Sequence, residues 1–300
     1  MPELPEVTTT VMGLNEVLPN LTITDVWSDY FLRTKNKQTD TIKNKKYFEY
    51  FTRCVVGSTV LTTERRGKNI LIRLDNNHTI LIHMKMTGHL LYGKYRQNLN
   101  VWKSDDPFLS DPFNQFIHLV FTLSNGAHLA FSDMRKFAKV TLFETNTQDT
   151  ISDLSLLGPE PLEQTSPQLF TRQLQKKPNG KIKTVLMDQG VVAGIGNIYS
   201  DEILWSAGVH PETVVKNISK ENILKIFTAM KKILQQSIQM GGDSMSDYRN
   251  IYGKRGEFQH SHKAYRQTGK PCLKKGCSGT IVRKVIGGRS AHFCDTHQTV

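Results

Sequence analysis

The sequence predicts an α+β protein. Three features carry that prediction: a stretch of helical period at the start, a run of about seven short strand-like segments between residues 21 and 143, and helical stretches after residue 166 that end in a basic, cysteine-bearing segment. Residues 5–18 place Val7, Val11, Leu14 and Leu18 on one helix face, with Pro5 suited to the first turn and Pro19-Asn20 ending it. Strands are expected at Leu21–Trp27, Val55–Thr62, Asn69–Leu74, Thr79–Met84, Phe116–Leu123, Ala127–Phe131 and Lys139–Phe143. Asp75-Asn76-Asn77 and Asn125-Gly126 supply hairpin turns between them. So many short strands in one stretch form a sandwich or a barrel. Residues 95–115 are polar and contain proline, and read as a surface loop. Gly158, Pro159 and Pro161 mark 144–166 as a linker. Helices are expected near 167–176, 182–188, 198–206 and 220–239, after which Gly241-Gly242 opens a polar stretch to about 262.

With 38% apolar and 22% charged residues in 300, the chain can bury a sizeable core and is not disordered by composition. The net charge of +12 points to a polyanion partner, nucleic acid above all. No apolar run is long enough for a membrane helix, and the acidic start lacks the apolar region of a signal peptide, so the protein is expected in the cytoplasm. The charge is uneven. Residues 251–300 hold ten Lys/Arg against Glu257 and Asp295, together with three of the four cysteines, which makes the C-terminal end a separate module rather than a solvated tail.

Within that module Cys272-x4-Cys277 and Cys294-x2-His297 form two short knuckles. Zn²⁺ takes four such ligands in a tetrahedron, and a site with all four positions filled is structural rather than catalytic. Glycines 276, 279, 287 and 288 allow tight knuckles and a hairpin turn. Cys54, alone in a β-rich segment, reads as a core cysteine.

A proline follows Met1. Removal of that methionine leaves Pro2 with a secondary α-amine, and an α-amine titrates near about 8 against about 10.4 for lysine. Such an amine is a ready nucleophile for a carbonyl or acetal carbon, forming an iminium without needing burial. Glu3 and Glu6, at the helix start, are placed to move protons around it. Taken alone, the same residues make an ordinary terminus.

Together these features resemble the formamidopyrimidine-DNA glycosylase family, bacterial enzymes that repair oxidised purines. Met-Pro-Glu-Leu-Pro-Glu-Val-Thr at 1–8 is similar to the family's start. In order along the chain, Arg65-Arg-Gly-Lys68-Asn-Ile-Leu, His83-Met-Lys-Met86-Thr-Gly-His-Leu, Asp133-Met-Arg135-Lys-Phe137 and Val192-Ala-Gly-Ile-Gly-Asn197-Ile-Tyr resemble its basic turn, its next strand, its minor-groove wedge and the turn of its helix–two-turn–helix. Ala207-Gly-Val-His-Pro211 follows, and the zinc module occupies the family's position. Leu4 favours the purine branch over the endonuclease VIII branch.

The resemblance implies an N-terminal β-sandwich with an N-terminal helix, a helical helix–two-turn–helix domain and a C-terminal β-hairpin zinc finger, with DNA in the cleft between. The expected division is 1–143 for the sandwich, 144–166 for a linker, 167–262 for the helical domain and 263–300 for the finger. By resemblance, Pro2 attacks the sugar, Glu3 is the acid/base, Glu6 organises the site and Lys68 holds a phosphate near the lesion. Met86, Arg135 and Phe137 fill the space left by a flipped base. Asn197 and Arg289 grip phosphates, and His118, Lys183 and Tyr265 complete the DNA-binding set. Residues 241–262 correspond to the loop that closes over the flipped base. The expected partner of this monomer is damaged double-stranded DNA on the bacterial nucleoid, and one structural Zn²⁺ is its cofactor.

Two departures stand out. The family's finger is Cys-x2-Cys twice, whereas here the first knuckle is x4 and the fourth ligand is His297; and 95–115 is long for the family. Three competing readings are the same chemistry on oxidised pyrimidines, a non-catalytic zinc-finger binder of damaged DNA, and an RNA-binding zinc ribbon. The binder predicts no covalent adduct, and the ribbon leaves the N-terminal motif unexplained.

Overall fold

The computed structural model describes residues 1–32 and 40–299. By their contacts the residues form two compact units, Met1–Ser155 with Gly241–Glu257, and Leu156–Met240 with Phe258–Val300. Residues 241–257, assigned by sequence to the helical segment, thus pack into the first unit.

In the first unit, helix α1 (Leu4–Val17) is followed by β1 (Ile23–Ser28), α2 (Lys45–Val55), β2 (Val60–Arg66), β3 (Asn69–Leu74), β4 (His78–His83), β5 (His89–Gly93), β6 (Arg96–Asn98), β7 (Val101–Lys103), β8 (Ile117–Leu123), β9 (His128–Ser132), β10 (Lys139–Glu144) and the one-turn α3 (Ser152–Ser155). Two antiparallel four-stranded sheets, ordered β1-β8-β9-β5 and β10-β4-β3-β2, share one core. Val7, Val11 and Leu14 of α1 reach it as the helical spacing requires. They meet Ile70 and Ile72 of one sheet and Leu119 and Phe121 of the other, which settles the choice between sandwich and barrel in favour of the sandwich.

Two expectations need correction. Val55–Thr62 is not one strand: α2 runs through Val55, started by the Asn44 side chain, which accepts from Tyr47 N–H at 3.1 Å, and docked by Phe51 and Val55 one turn apart. The strand begins only at Val60. Residues 95–115 are not a plain surface loop either. Their β6–β7 hairpin and Leu109 cover the outer face of the first sheet, where Tyr95 and Leu109 join Leu91, Ile117, Val120 and Ala130 in a second small core. The expected linker carries a 3₁₀ turn at Thr145–Thr150 before α3.

The second unit holds α4 (Pro167–Gln175), α5 (Ile182–Leu186), α6 (Asn197–Ala207), α7 (Lys220–Gln239) and the hairpin of β11 (Ile281–Ile286) and β12 (Arg289–Cys294). Ser166 and Ser219 cap α4 and α7. Gly208, at φ +71°, ends α6 in the left-handed conformation that glycine adopts freely. The helices close on Tyr199, Ile203, Leu204, Ile226, Met230 and Leu234.

Two neighbouring carboxylates on α6 tie this unit together. Asp201 takes the Lys183 ammonium at 2.5 Å on one oxygen, and the His292 N–H at 3.0 Å and ring Nδ1 at 2.9 Å on the other. Glu202 accepts the backbone N–H groups of Lys263, Ala264 and Tyr265 at 2.8–3.1 Å. Helix α5, the approach to the hairpin and β12 are therefore fixed to one turn of α6. Lys183 is 0% exposed, so the expected DNA contact is corrected: its ammonium is used up by Asp201 and by Ser200 Oγ at 3.1 Å. Removing one partner of a buried ion pair leaves the other uncompensated, so Lys183→Met should cost about 3–5 kcal/mol in urea unfolding. The salt dependence of DNA binding should keep its slope; a slope lower by about 1 would return Lys183 to phosphate contact.

Candidate functional site

The start of α1 is built as a capping box. Glu3 precedes the helix, and Glu6, three residues on, returns its Oε2 to the Glu3 N–H at 2.7 Å. Its other oxygen accepts the Asp243 N–H at 2.7 Å. Pro2, Glu3 and Glu6 are all buried, Glu6 to 1% exposure. Tyr248 closes the same spot, its hydroxyl donating to the Glu6 carbonyl at 3.0 Å. Burial pushes that phenol well above its usual value with Glu6 adding to the effect, so it stays a donor. Gly242, at φ +84°, leans on Glu6: a β-carbon there would lie 3.0 Å from Glu6 Cγ and Oε1.

Lys68 sits in the two-residue turn between β2 and β3. Gly67, at φ +57°, takes the first central position, as a type II′ hairpin demands. The turn leaves Lys68 buried. Burial, with Lys85 and Lys68 nearby, lowers His83 to about 3, so this imidazole is neutral and adds no charge beside the lysines.

Met86, Arg135 and Phe137 lie on turns after β4 and β9, not on strands. One buried carboxylate shapes both turns. Asp133 accepts Thr87 Oγ1–H at 2.6 Å, Ala138 N–H at 2.9 Å and Tyr30 O–H at 3.0 Å, while Thr87 Oγ1 accepts Arg135 N–H at 3.1 Å. The residues between are pushed outward: Met86, Met134, Arg135 and Phe137 are exposed, Phe137 to 50%, and the Arg135 guanidinium stacks 4.5 Å from the Phe137 ring. An exposed apolar tip beside a cation is the shape of a wedge for base steps. His118 is instead engaged by Asp29 at 2.8 Å, which also binds Lys136 at 3.0 Å; despite burial, His118 and Lys136 hold the Asp29 carboxyl below its usual value.

In the second unit Asn197 is the first residue of α6, half-buried, and Gly196 is the N-cap. Asn197 therefore does not act as the cap, and its Oδ1 is buried without a partner. Its position at a helix N-terminus suits an anion. The preceding turn is clamped by Gln189, which donates to the Met187 and Ile195 carbonyls at 2.8 and 2.7 Å and accepts the Gly194 N–H at 2.9 Å. Arg289 is exposed and follows Gly287-Gly288, both at positive φ, in a two-residue hairpin turn. Tyr265 is half-buried between the rings of His262 and His292.

Cys272, Cys277, Cys294 and His297 can hold a metal ion, their donor atoms all lying within 4.8 Å of one another. Cys277 and Cys294 sulfurs are 3.6 Å apart, and Cys272 Sγ is 3.3 Å from His297 Nδ1. A tetrahedron of zinc–sulfur and zinc–nitrogen bonds has edges of about 3.6–3.8 Å, so the donor set fits zinc. Backbone N–H groups of Lys274, Gly279 and Thr296 point at the three sulfurs at 3.4–3.5 Å. His297 Nε2 lies 3.0 Å from the Trp205 carbonyl of α6, which fixes the tautomer with Nδ1 free to ligate.

Reading the sequence missed Asp133, Gln189, Asp201, Glu202 and Tyr248. No local signal marks them: α6 is mixed in polarity, and an acid paired in the interior looks in sequence like a solvated one.

The two units define a class: a β-sandwich begun by a buried capping box, followed in the chain by a helical unit that carries a basic Cys/His hairpin. Comparison with known proteins gives the family. The formamidopyrimidine-DNA glycosylase N-terminal domain matches residues 1–140, and the H2TH domain of the same enzymes matches residues 157–249. The chain is 35% identical over 304 residues to the formamidopyrimidine-DNA glycosylase of Pelotomaculum thermopropionicum, covering 100% of both chains. It is 34% identical to that of Bacillus subtilis, covering 100% of this chain and 99% of the relative. Among solved structures, Lactococcus lactis Fpg with DNA containing an abasic site aligns at TM-score 0.83 and 28% identity, covering 99% of this chain and 100% of that one. MutM in complex with DNA containing carbocyclic 8-oxo-G aligns at 0.82 and 28%, covering 100% of both chains. The chain belongs to the formamidopyrimidine-DNA glycosylase family.

Proposed function

We propose that this protein is a bifunctional DNA glycosylase and lyase of base excision repair, removing 8-oxoguanine and formamidopyrimidines from double-stranded DNA. The observation that carries the reading is the buried start of α1, where Pro2 adjoins a capping box of two carboxylates in a chain with full-length similarity to these enzymes. With Met1 removed, the Pro2 nitrogen attacks C1′ of the extruded nucleotide, and the glycosidic bond breaks with its electron pair leaving on the base. Glu3 protonates the sugar ring oxygen as the ring opens to the iminium. The iminium acidifies the adjacent C2′ proton; its loss expels the 3′ phosphate, and a second elimination expels the 5′ phosphate. Glu6 organises the helix start. Lys68, Asn197 and Arg289 hold phosphates, with His118 and Tyr265 as further DNA contacts, and Met86, Arg135 and Phe137 occupy the vacated stack. The chain acts as a monomer in the bacterial cytoplasm; among the described residues no helix is long and apolar enough to cross a membrane. Residues 263–300 are the finger domain, in which Cys272, Cys277, Cys294 and His297 hold one Zn²⁺ that supplies structure rather than chemistry.

Borohydride trapping on a duplex with one 8-oxoguanine opposite cytosine tests the main reading. A covalent band mapped to the N-terminal peptide is expected, and Glu3→Gln should slow base release at least about a hundredfold, the usual scale of general acid catalysis. An adduct at any other residue, or activity from a chain that keeps Met1, would refute the Pro2 route. A band on oxidised pyrimidine alone would move the substrate to the other branch. For the finger, metal analysis should give one zinc per chain, kept in His297→Cys and bound at least about tenfold more weakly in His297→Ala. Undiminished zinc in the alanine variant would remove His297 from the ligand set.

A further inference from the structure

The 94–116 segment, which the proposed chemistry leaves unused, is firmly anchored to the sandwich. Trp102 of β7 packs on Trp27 at 5.8 Å and on His128 at 5.3 Å. Asn114, buried, joins His89 Nε2 at 2.8 Å and donates to the Phe108 carbonyl at 2.7 Å. The Asp111 side chain caps the following 3₁₀ turn at Phe113 N–H, 2.9 Å away.

Its outer rim meets the arm 246–254 of the segment that begins at Gly242. Arg249 is the hub of that arm and only 2% exposed. Its guanidinium donates to the Ser246 and Tyr248 carbonyls at 3.1 and 2.9 Å, faces Asp111 Oδ2 at 3.5 Å and stacks 4.9 Å from the Phe113 ring. The Lys254 ammonium lies 4.8 Å over the Phe108 ring. Gly253, at φ +76°, fits so closely that a β-carbon would lie 2.5 Å from the Phe108 carbonyl oxygen. The arm is also tied to the sandwich: Tyr92 N–H donates to the Ile251 carbonyl at 2.6 Å, Ile251 is in the main core, and the Tyr252 hydroxyl donates to Glu16 at 2.9 Å.

We propose that Phe108, Asp111 and Phe113 form a latch that holds the 246–254 arm in its base-receiving shape, making the 94–116 segment a positioning element for lesion recognition. This rests on the reading in which residues 241–262 close over the extruded base. A loop that must order itself around a base gives up conformational freedom at that moment. A loop ordered beforehand by a rigid neighbour does not, and the base-binding state is then populated before DNA arrives. Asp111 and Phe113 act through Arg249, so they are positioning rather than catalytic residues.

The test uses full-length Asp111→Ala and Phe113→Ala, with Asp111→Glu as the conservative control. Trypsin under native conditions reads the latch directly, because Lys254 and Arg255 are exposed cleavage sites on the arm. Cleavage there should be about tenfold faster in both alanine variants, since it tracks the population of the open arm, and near wild type in Asp111→Glu. Single-turnover release of 8-oxoguanine should fall about tenfold, while strand cleavage at a preformed abasic site, which offers no base to the loop, should be unchanged. Unchanged proteolysis overturns the latch. Faster proteolysis with unchanged base release overturns its role in recognition, and equal losses on both substrates reduce it to general stability. A wild-type chain that releases no oxidised purine sinks the functional reading and the positioning role with it, while trypsin still decides whether the arm is latched.

Discussion

The first unit depends on how one buried carboxylate is shared. Glu6 is almost fully buried, so both oxygens need donors from the protein, and it finds them in the Glu3 and Asp243 N–H groups. One bond fixes the residue that follows Pro2. The other fixes the start of a segment more than two hundred positions away in sequence. Gly242 gives the approach its room. The residues proposed for proton transfer and the loop proposed to meet the base are thereby set by the same side chain. Charge-assisted bonds of this kind are about twice as strong as neutral ones, and leaving a buried carboxylate short of a donor costs more than the bond itself.

The second unit uses the same device with different residues. Asp201 and Glu202 on α6 gather Lys183, His292 and three successive backbone amides. The Trp205 carbonyl, one turn further, orients the His297 ring. The Cys/His hairpin, with Arg289 at its tip, is therefore held to the helix whose first residue is Asn197. In the first unit Asp133 does for the Met86 and Phe137 turns what Glu6 does for the loop. In each case a buried acid gathers donors, backbone N–H or side chain, from separate segments into a fixed surface. The exposed side chains that carry the proposed contacts are short extensions of those staples.

Local signals made much of this legible. The spacing of Val7, Val11 and Leu14 marked α1, Asn125-Gly126 marked the β8–β9 hairpin, and the paired knuckles marked the Cys/His group. Elements whose stability is tertiary escaped. Helix α2 reads as polar and aromatic, and becomes a helix because Phe51 and Val55 find the core. Strand β5 is five residues long and the β6–β7 hairpin strands three each, too short for a period to show. Lys183 misled for a general reason: in a basic chain a lysine reads as surface, and only its partner Asp201 reveals burial. The staples themselves were invisible, because an acid that accepts amides from far along the chain looks in sequence like any solvated acid.

The claim that Glu6 joins the helix start to the loop is tested most directly by amide hydrogen exchange in Glu6→Gln. A neutral side chain with one acceptor oxygen cannot serve both N–H groups. Exchange at Glu3 or Asp243 should therefore rise by about tenfold or more, with faster exchange spreading through residues 241–257, while the core strands β3 and β4 stay protected. Wild-type protection at both amides would contradict the shared carboxylate as the joint of the site.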